Sequence, residues 1–275
     1  MMTHMLSRIF GRPLLLDEGK AAAILAAAGG RLVHGTVCMD AQPSSHFAFQ
    51  TGRPSLGVIG DTLGRRYDAR GILPFDMYEN IALIPIEGTL VYKGGYIGAP
   101  SGITSYQGLQ AQIRRAAASP EVKGVVFEVD SYGGESAGAF ETALEIYGLS
   151  KIKPTIAILT DSALSAGYLL AAAAREIVMP EFGAAGSIGV IMLHADYSRQ
   201  IANDGIQVTV VASGRHKADG SPLAPLPGDL LDAMQSTADA MRRKFASHVS
   251  RFRAGRLTYQ AAMETEAKIY EGPKA

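Results

Sequence analysis

Four short segments carry groups able to do chemistry. In DSALSAGYLLAAAA (161–174), Ser165 stands among alanine, glycine and leucine, just after the apolar run TIAILTD. A helix is expected to begin there. A serine at the carboxyl end of a strand in a β/α chain lies where such folds hold ligands. The N–H groups of a helix start favour negative charge, and Ala166 and Gly167 leave room for a peptide backbone. The same position suits a helix N-cap with no chemistry attached. In DSYGGES (130–136), Gly133 and Gly134 follow GVVFEV and can turn backbone N–H groups toward an oxyanion. An ordinary strand-to-helix turn would use the same residues. The GxxxxGK[ST] spacing of a phosphate loop is absent.

Two further segments supply candidate partners. SGRHKADGSPL (213–223) holds Lys217 and His216 in a polar, glycine-containing loop. A lysine acts as a general base when burial lowers its pKa; most lysines are merely solvated. His216 is a rival base, because serine triads occur in any chain order. In AAGSIGV (184–190), Ser187 lies between glycines, where it can hold a neighbouring amine by a hydrogen bond or simply serve a turn.

The elements that must position these groups are legible from residue 80 onward. IALIPIEGTLV, GVVFEVD, TIAILTD, EIVMP, GVIMLHA and IQVTVVAS read as strands. They are near-continuous apolar runs, as expected for strands covered on both faces. ITSYQGLQAQIRRAAAS, SAGAFETALEIYGLS and SAGYLLAAAA between them are helical in composition. The alternation predicts an α/β domain with a largely parallel sheet and right-handed crossovers. A long helix is predicted over about 229–253, where Leu230, Met234, Ala238, Met241, Phe245, Val249 and Phe252 form one apolar stripe. Residues 1–78 read as a partly irregular N-terminal extension, in which AAAILAAAGG is expected to form a short amphipathic helix, and 79–275 as the main domain.

Composition narrows the function classes. The 275 residues are 47% hydrophobic, enough for a full core. Lys plus Arg equals Asp plus Glu at 26 each, so no net charge steers the chain toward nucleic acid or an acidic membrane. The single cysteine, Cys38, excludes an intramolecular disulfide framework and a multi-cysteine zinc site. The histidines form no HxxxH pair, so no metal is expected. No apolar run approaches the ~20 residues of a transmembrane span.

Taken together and in order, the four segments resemble the signal peptide peptidase A (protease IV) type of serine peptidases, over roughly 80–270. DS-x-GG, SAGY, GSIGV and K-x-x-GSP carry the resemblance. GTLVYKGG, TEAKIYEG and the leading GRPLLLDEGKAAAILAAAGGRL are most similar to the phage and prophage capsid assembly (prohead) proteases of that family. The resemblance implies a Clp protease/crotonase-like fold of repeated β-β-α units with a long C-terminal helix. It implies a serine endopeptidase with a Ser-Lys dyad: Ser165 as nucleophile, Lys217 as general base, Ser187 positioning the lysine. The backbone N–H of Gly133, helped by Gly134 and Ala166, would form the oxyanion hole. No cofactor is implied. The expected partners are extended capsid or scaffold segments and further copies of the chain in a homo-oligomer, in the cytoplasm of a bacterial or infected cell or within the prohead. Tyr132 replaces the proline usual in the family turn, and the peptidase domain ends short of its relatives at YEGPKA. A bacterial peptidase clearing signal peptides shares this chemistry. A crotonase-like acyl-CoA enzyme or an inactive assembly protein on the same fold is the alternative of another class.

Overall fold

The computed structural model describes residues 12–16, 62–94, 97–99 and 102–274. The amphipathic helix expected over 21–30, and Cys38, lie outside them. Three long parallel strands form the centre: β3 (Ile81–Val91), β5 (Gly124–Glu135) and β6 (Thr155–Leu164). Their β-branched and aromatic residues alternate about the pleat, so Ile84, Ile86, Phe127, Val129, Ala157 and Leu159 share one buried core. β4 (Ile103–Ser105), β7 (Glu176–Val178) and β8 (Ala184–Gly186) extend the parallel part. Antiparallel pieces fill the margins: β1 (Pro13–Leu16), β2 (Asp76–Tyr78), β9 (Ile191–Met192) and β10 (Ile269–Glu271). The mixed α/β architecture with a largely parallel sheet is thus the one the sequence predicts.

Helices cover one face. Following α1 (Thr62–Asp68), α2 (Tyr106–Ala118) is started by Ser105, whose side chain accepts from the Gly108 N–H at 3.0 Å. α3 (Ala139–Ile152) stops just before Pro154, which cannot continue a helix. α4 (Ala166–Ala172) is buried except at Tyr168, and its other residues are small or aliphatic, so it packs tightly against β5 and β6. After α5 (Ser198–Asn203) comes the long helix α6 (Gly228–Phe252). Its stripe is buried at Ala238, Phe245, Val249 and Phe252, while Leu230 and Met234 near the helix start are only half-buried and Leu231 beside them is 55% exposed. Phe245 meets Phe140 of α3 edge to face, with centroids 6.5 Å apart. Phe245→Ala is expected to cost about 3–5 kcal/mol through transfer and cavity terms, measurable by denaturant unfolding. The chain then closes through α7 (Tyr259–Glu264).

Three expectations are corrected. The strands are not covered on both faces: Leu83, Ile158 and Val178, at alternate positions, are 39%, 38% and 52% exposed. IQVTVVAS forms no strand; its backbone has no ladder partner among the described residues, and residues 202–220 are all exposed. DSYGGE is not a turn after a strand but the last part of β5. A register shift between Val129 and Ser131 lets β5 run on beside β3 while it parts from β6. The described parts of 1–78 join the same body: Leu15 and Phe75 enter the main core, and β2 pairs with β3.

Candidate active site

Ser165 sits at the corner where β6 ends and α4 begins. Its backbone is held at φ 52°, ψ −118°, a conformation uncommon for a residue with a Cβ. Two hydrogen bonds fix the corner: the Ser165 N–H donates to Gly186 O at 2.9 Å, and the Leu169 N–H donates to Ser165 O at 2.9 Å. The residue is fully buried, and its Oγ finds no hydrogen-bond partner among the described residues. A buried hydroxyl without a partner is costly, and groups left in that condition are candidates for chemistry. The N-cap alternative does not describe it, since the side chain makes no capping bond.

Glycines bring the neighbouring backbone within reach. A Cβ on Gly133 would fall 3.1 Å from Ala166 N. Gly133 has φ +95°, and its N–H donates to Ser131 Oγ at 3.1 Å. Ser131 Oγ in turn donates to Gly88 O at 2.7 Å. Ser131 is fully buried and ties the β3 bulge to the Gly133 turn of the backbone. Sequence reasoning missed it, although it is the serine of the DS-x-GG motif itself. Gly167 completes the approach: a Cβ there would lie 2.7 Å from Ser131 O, so only glycine lets α4 settle on β5. The Ala166 N–H is in the first turn of α4, where no intrahelical acceptor exists.

Ser187 lies beside this corner. It follows Gly186, whose carbonyl holds the Ser165 N–H, and its own N–H donates to Lys268 O at 3.1 Å. It is 8% exposed, with φ 58°. Ser165, Ser187, Gly133, Gly134 and Ala166 are therefore gathered by three adjoining backbone segments. Lys217 is elsewhere. It belongs to the exposed arm 202–220 and lines a cavity of about 550 Å³ whose walls come wholly from residues 210–223, among them Val210, Ser213 and Leu223. The rival base His216 is on the same arm, its Nδ1 2.9 Å from Asp219 Oδ2, with a side chain 76% exposed. Among the described residues no cluster of His, Cys, Asp and Glu could hold a metal ion.

Residues 148–275 match the model of peptidase family S49. The matched stretch contains Ser165, Ser187 and Lys217, while Gly133 and Gly134 precede it. Across the chain as a whole, the sequence is 35% identical to capsid assembly protease C of Escherichia phage lambda, covering 100% of this chain and 61% of that protein. It is also 35% identical to the head-tail preconnector protein GP5 of Enterobacteria phage P21, covering 98% of this chain and 52% of that protein. The chain thus spans between half and two thirds of the length of these relatives. An enoyl-CoA hydratase from Polaromonas sp. JS666 superposes with a TM-score of 0.33 at 16% identity, covering 70% of this chain and 87% of that one. Among the described residues no helix is long and apolar enough to cross a membrane.

Proposed function

We propose that this chain is a serine endopeptidase of the S49 type that processes capsid or scaffold proteins during phage head maturation, in an infected cell or within the prohead. The observation that carries the reading is the buried, unpartnered Ser165 hydroxyl, held at a strained strand-to-helix corner beside the Gly133 and Ala166 backbone. The 35% identity to a capsid assembly protease supports the substrate class.

Ser165 Oγ attacks a peptide carbonyl while the base takes its proton. Backbone N–H groups at Gly133 and Ala166, with Gly134 adjoining, stabilise the oxyanion. The amine leaves with a proton from the base, and water activated by the same base releases the acyl group. No step calls for a cofactor. Rotation of Ser131 Oγ away from the Gly133 N–H would free that donor for the oxyanion. Lys217 is the proposed base and Ser187 its positioning residue. A lysine becomes a base only when desolvation removes its charge, so the exposed arm has to dock before the site is complete.

A neighbouring copy is the proposed dock, in a homo-oligomer. Exposed Ile206, Val208 and Val210 on the arm, and Leu231 on α6, give apolar surface for it. An equal mixture of Ser165→Ala and Lys217→Ala proteins is then expected to recover about a quarter of wild-type activity, because heterologous contacts pair an intact serine with an intact lysine at random. A dyad within one copy gives no recovery. His216→Ala is expected to keep most activity; a loss as deep as that of Lys217→Ala would make the Asp219-bound histidine the base instead. The function itself is tested by co-expression with the neighbouring capsid-gene products and mass spectrometry of the fragments. Cleavage should require Ser165; fragments that persist in Ser165→Ala would refute the assignment.

A further inference from the structure

β1 fills an opening that the rest of the fold creates. Where β5 parts from β6, its edge at Gly133–Glu135 is left without β6, whose last pairing is Ser131 with Ala163. β1 takes that edge, antiparallel, with Leu14 opposite Glu135, Leu15 opposite Gly134 and Leu16 opposite Gly133. Its other edge is taken by β9, with Pro13 opposite Met192 and Leu14 opposite Ile191. The strand is therefore sandwiched between two short segments that lie on either side of the Ser165 corner in the chain's path.

Its backbone comes close to the reacting groups. A Cβ on Gly133 would lie 2.1 Å from the Leu15 carbonyl oxygen and 3.1 Å from Ala166 N. One small space thus adjoins the Leu15 carbonyl, Gly133 and the first N–H of α4. The side chains divide by strand alternation: Leu15 is fully buried in the main core, while Leu14 and Leu16 pack with Ile191 and Leu193. On the Pro13 side the path opens into a cavity of about 790 Å³ with Arg12, Glu135, Phe140, Met241 and Lys244 among its walls. An extended peptide of any origin could continue along it.

We infer that the slot between Gly133–Glu135 and β9 is the peptide-binding cleft of the Ser165 site, and that Pro13–Leu16 occupies it as a built-in pseudosubstrate. The inference rests on the reading of Ser165 as nucleophile. The occupant also defines the substrate class: an extended segment, added antiparallel by main-chain pairing, with a leucine-like residue where Leu15 stands. Ser165 is itself fully buried, and with β1 in the slot a substrate has to displace it before reaching the hydroxyl.

A reversible cross-link tests this. Facing residues of an antiparallel pair have Cα atoms about 4.5–5.5 Å apart, within disulfide range. Leu14→Cys and Ile191→Cys, in a Cys38→Ser, Ser165→Ala background, should lock β1 in the slot on oxidation and leave Leu15 in place. The probe is a fluorescein-labelled peptide of residues 12–19, RPLLLDEG, followed by anisotropy. It must compete with a tethered strand, so binding to the reduced protein is expected in the roughly millimolar range of a short tether's effective concentration. The oxidised protein should bind at least about ten-fold more weakly, the reverse of what Leu15→Ser does by loosening the internal strand. A Leu15→Asp version of the peptide should not bind. Equal binding by oxidised and reduced protein, binding by neither the reduced protein nor Leu15→Ser, or failure of the disulfide to form would overturn the inference. Since the background lacks the serine hydroxyl, the outcome is independent of catalysis. Binding as expected, with no Ser165-dependent cleavage by the wild type, would instead refute the catalytic reading alone.

Discussion

Ser165→Ala is expected to lower kcat/KM for peptide cleavage by at least about 10³-fold while leaving the protein fully folded. The two halves of this expectation have separate physical causes. Activity is lost because the proposed nucleophile is removed and alanine supplies no group to replace it. Stability is kept because Ser165 Oγ makes no hydrogen bond that alanine would forfeit. Removing a buried hydroxyl that has no partner relieves its desolvation cost, so the melting temperature should stay the same or rise slightly. Alanine tolerates the φ of 52° no worse than serine does. Steady-state kinetics and a thermal melt on the same preparation check both halves. A large fall in melting temperature would mean that the hydroxyl has a structural partner.

Gly134→Ala is expected to destabilise the fold by about 3–5 kcal/mol, among the largest effects of any single substitution here. A Cβ at that position would sit 1.9 Å from Leu90 O and 2.7 Å from Leu90 N. Those atoms belong to β3, a central strand that cannot give way, and the parallel register places Leu90 directly beside Gly134. Gly133→Ala makes an instructive contrast. Its Cβ would strike Leu15 O at 2.1 Å, and Leu15 belongs to the short β1. There the clash is relieved by expelling β1, at the additional cost of a side chain at φ +95°. Denaturant unfolding of the two variants should therefore separate them, with Gly134→Ala the more damaging. Similar losses in both would mean that β1 is as firmly held as β3.

The central strands and covering helices were legible because each is a local pattern. β3, β5 and β6 announce themselves as apolar β-branched runs, α2 by its helical composition, and α6 by a stripe of three- and four-residue steps. Ser165 stood out for the same reason: a polar residue at an expected strand-to-helix corner, among alanine, glycine and leucine. What stayed hidden depends on partners remote in sequence. PLLL has no signal of its own as a strand; only the gap left where β5 and β6 diverge makes it one. DSYGGE read as a turn because paired glycines usually break strands. Here they continue one, since the missing Cβ atoms admit the Leu90 and Leu15 backbones on either side. IQVTVVAS has the right residues for a strand, but nothing among the described residues pairs with it. Lys217 follows it on the arm, so the segment expected to bring the proposed base to the site leaves it in solvent.

The most direct test is covalent trapping. A fluorophosphonate probe reacts with activated serine hydroxyls, and peptide mapping by mass spectrometry locates the adduct. The account predicts modification at Ser165, lost in Ser165→Ala, strongly slowed in Lys217→Ala and little changed in His216→Ala. An adduct on another residue, or labelling that survives Ser165→Ala, would contradict it.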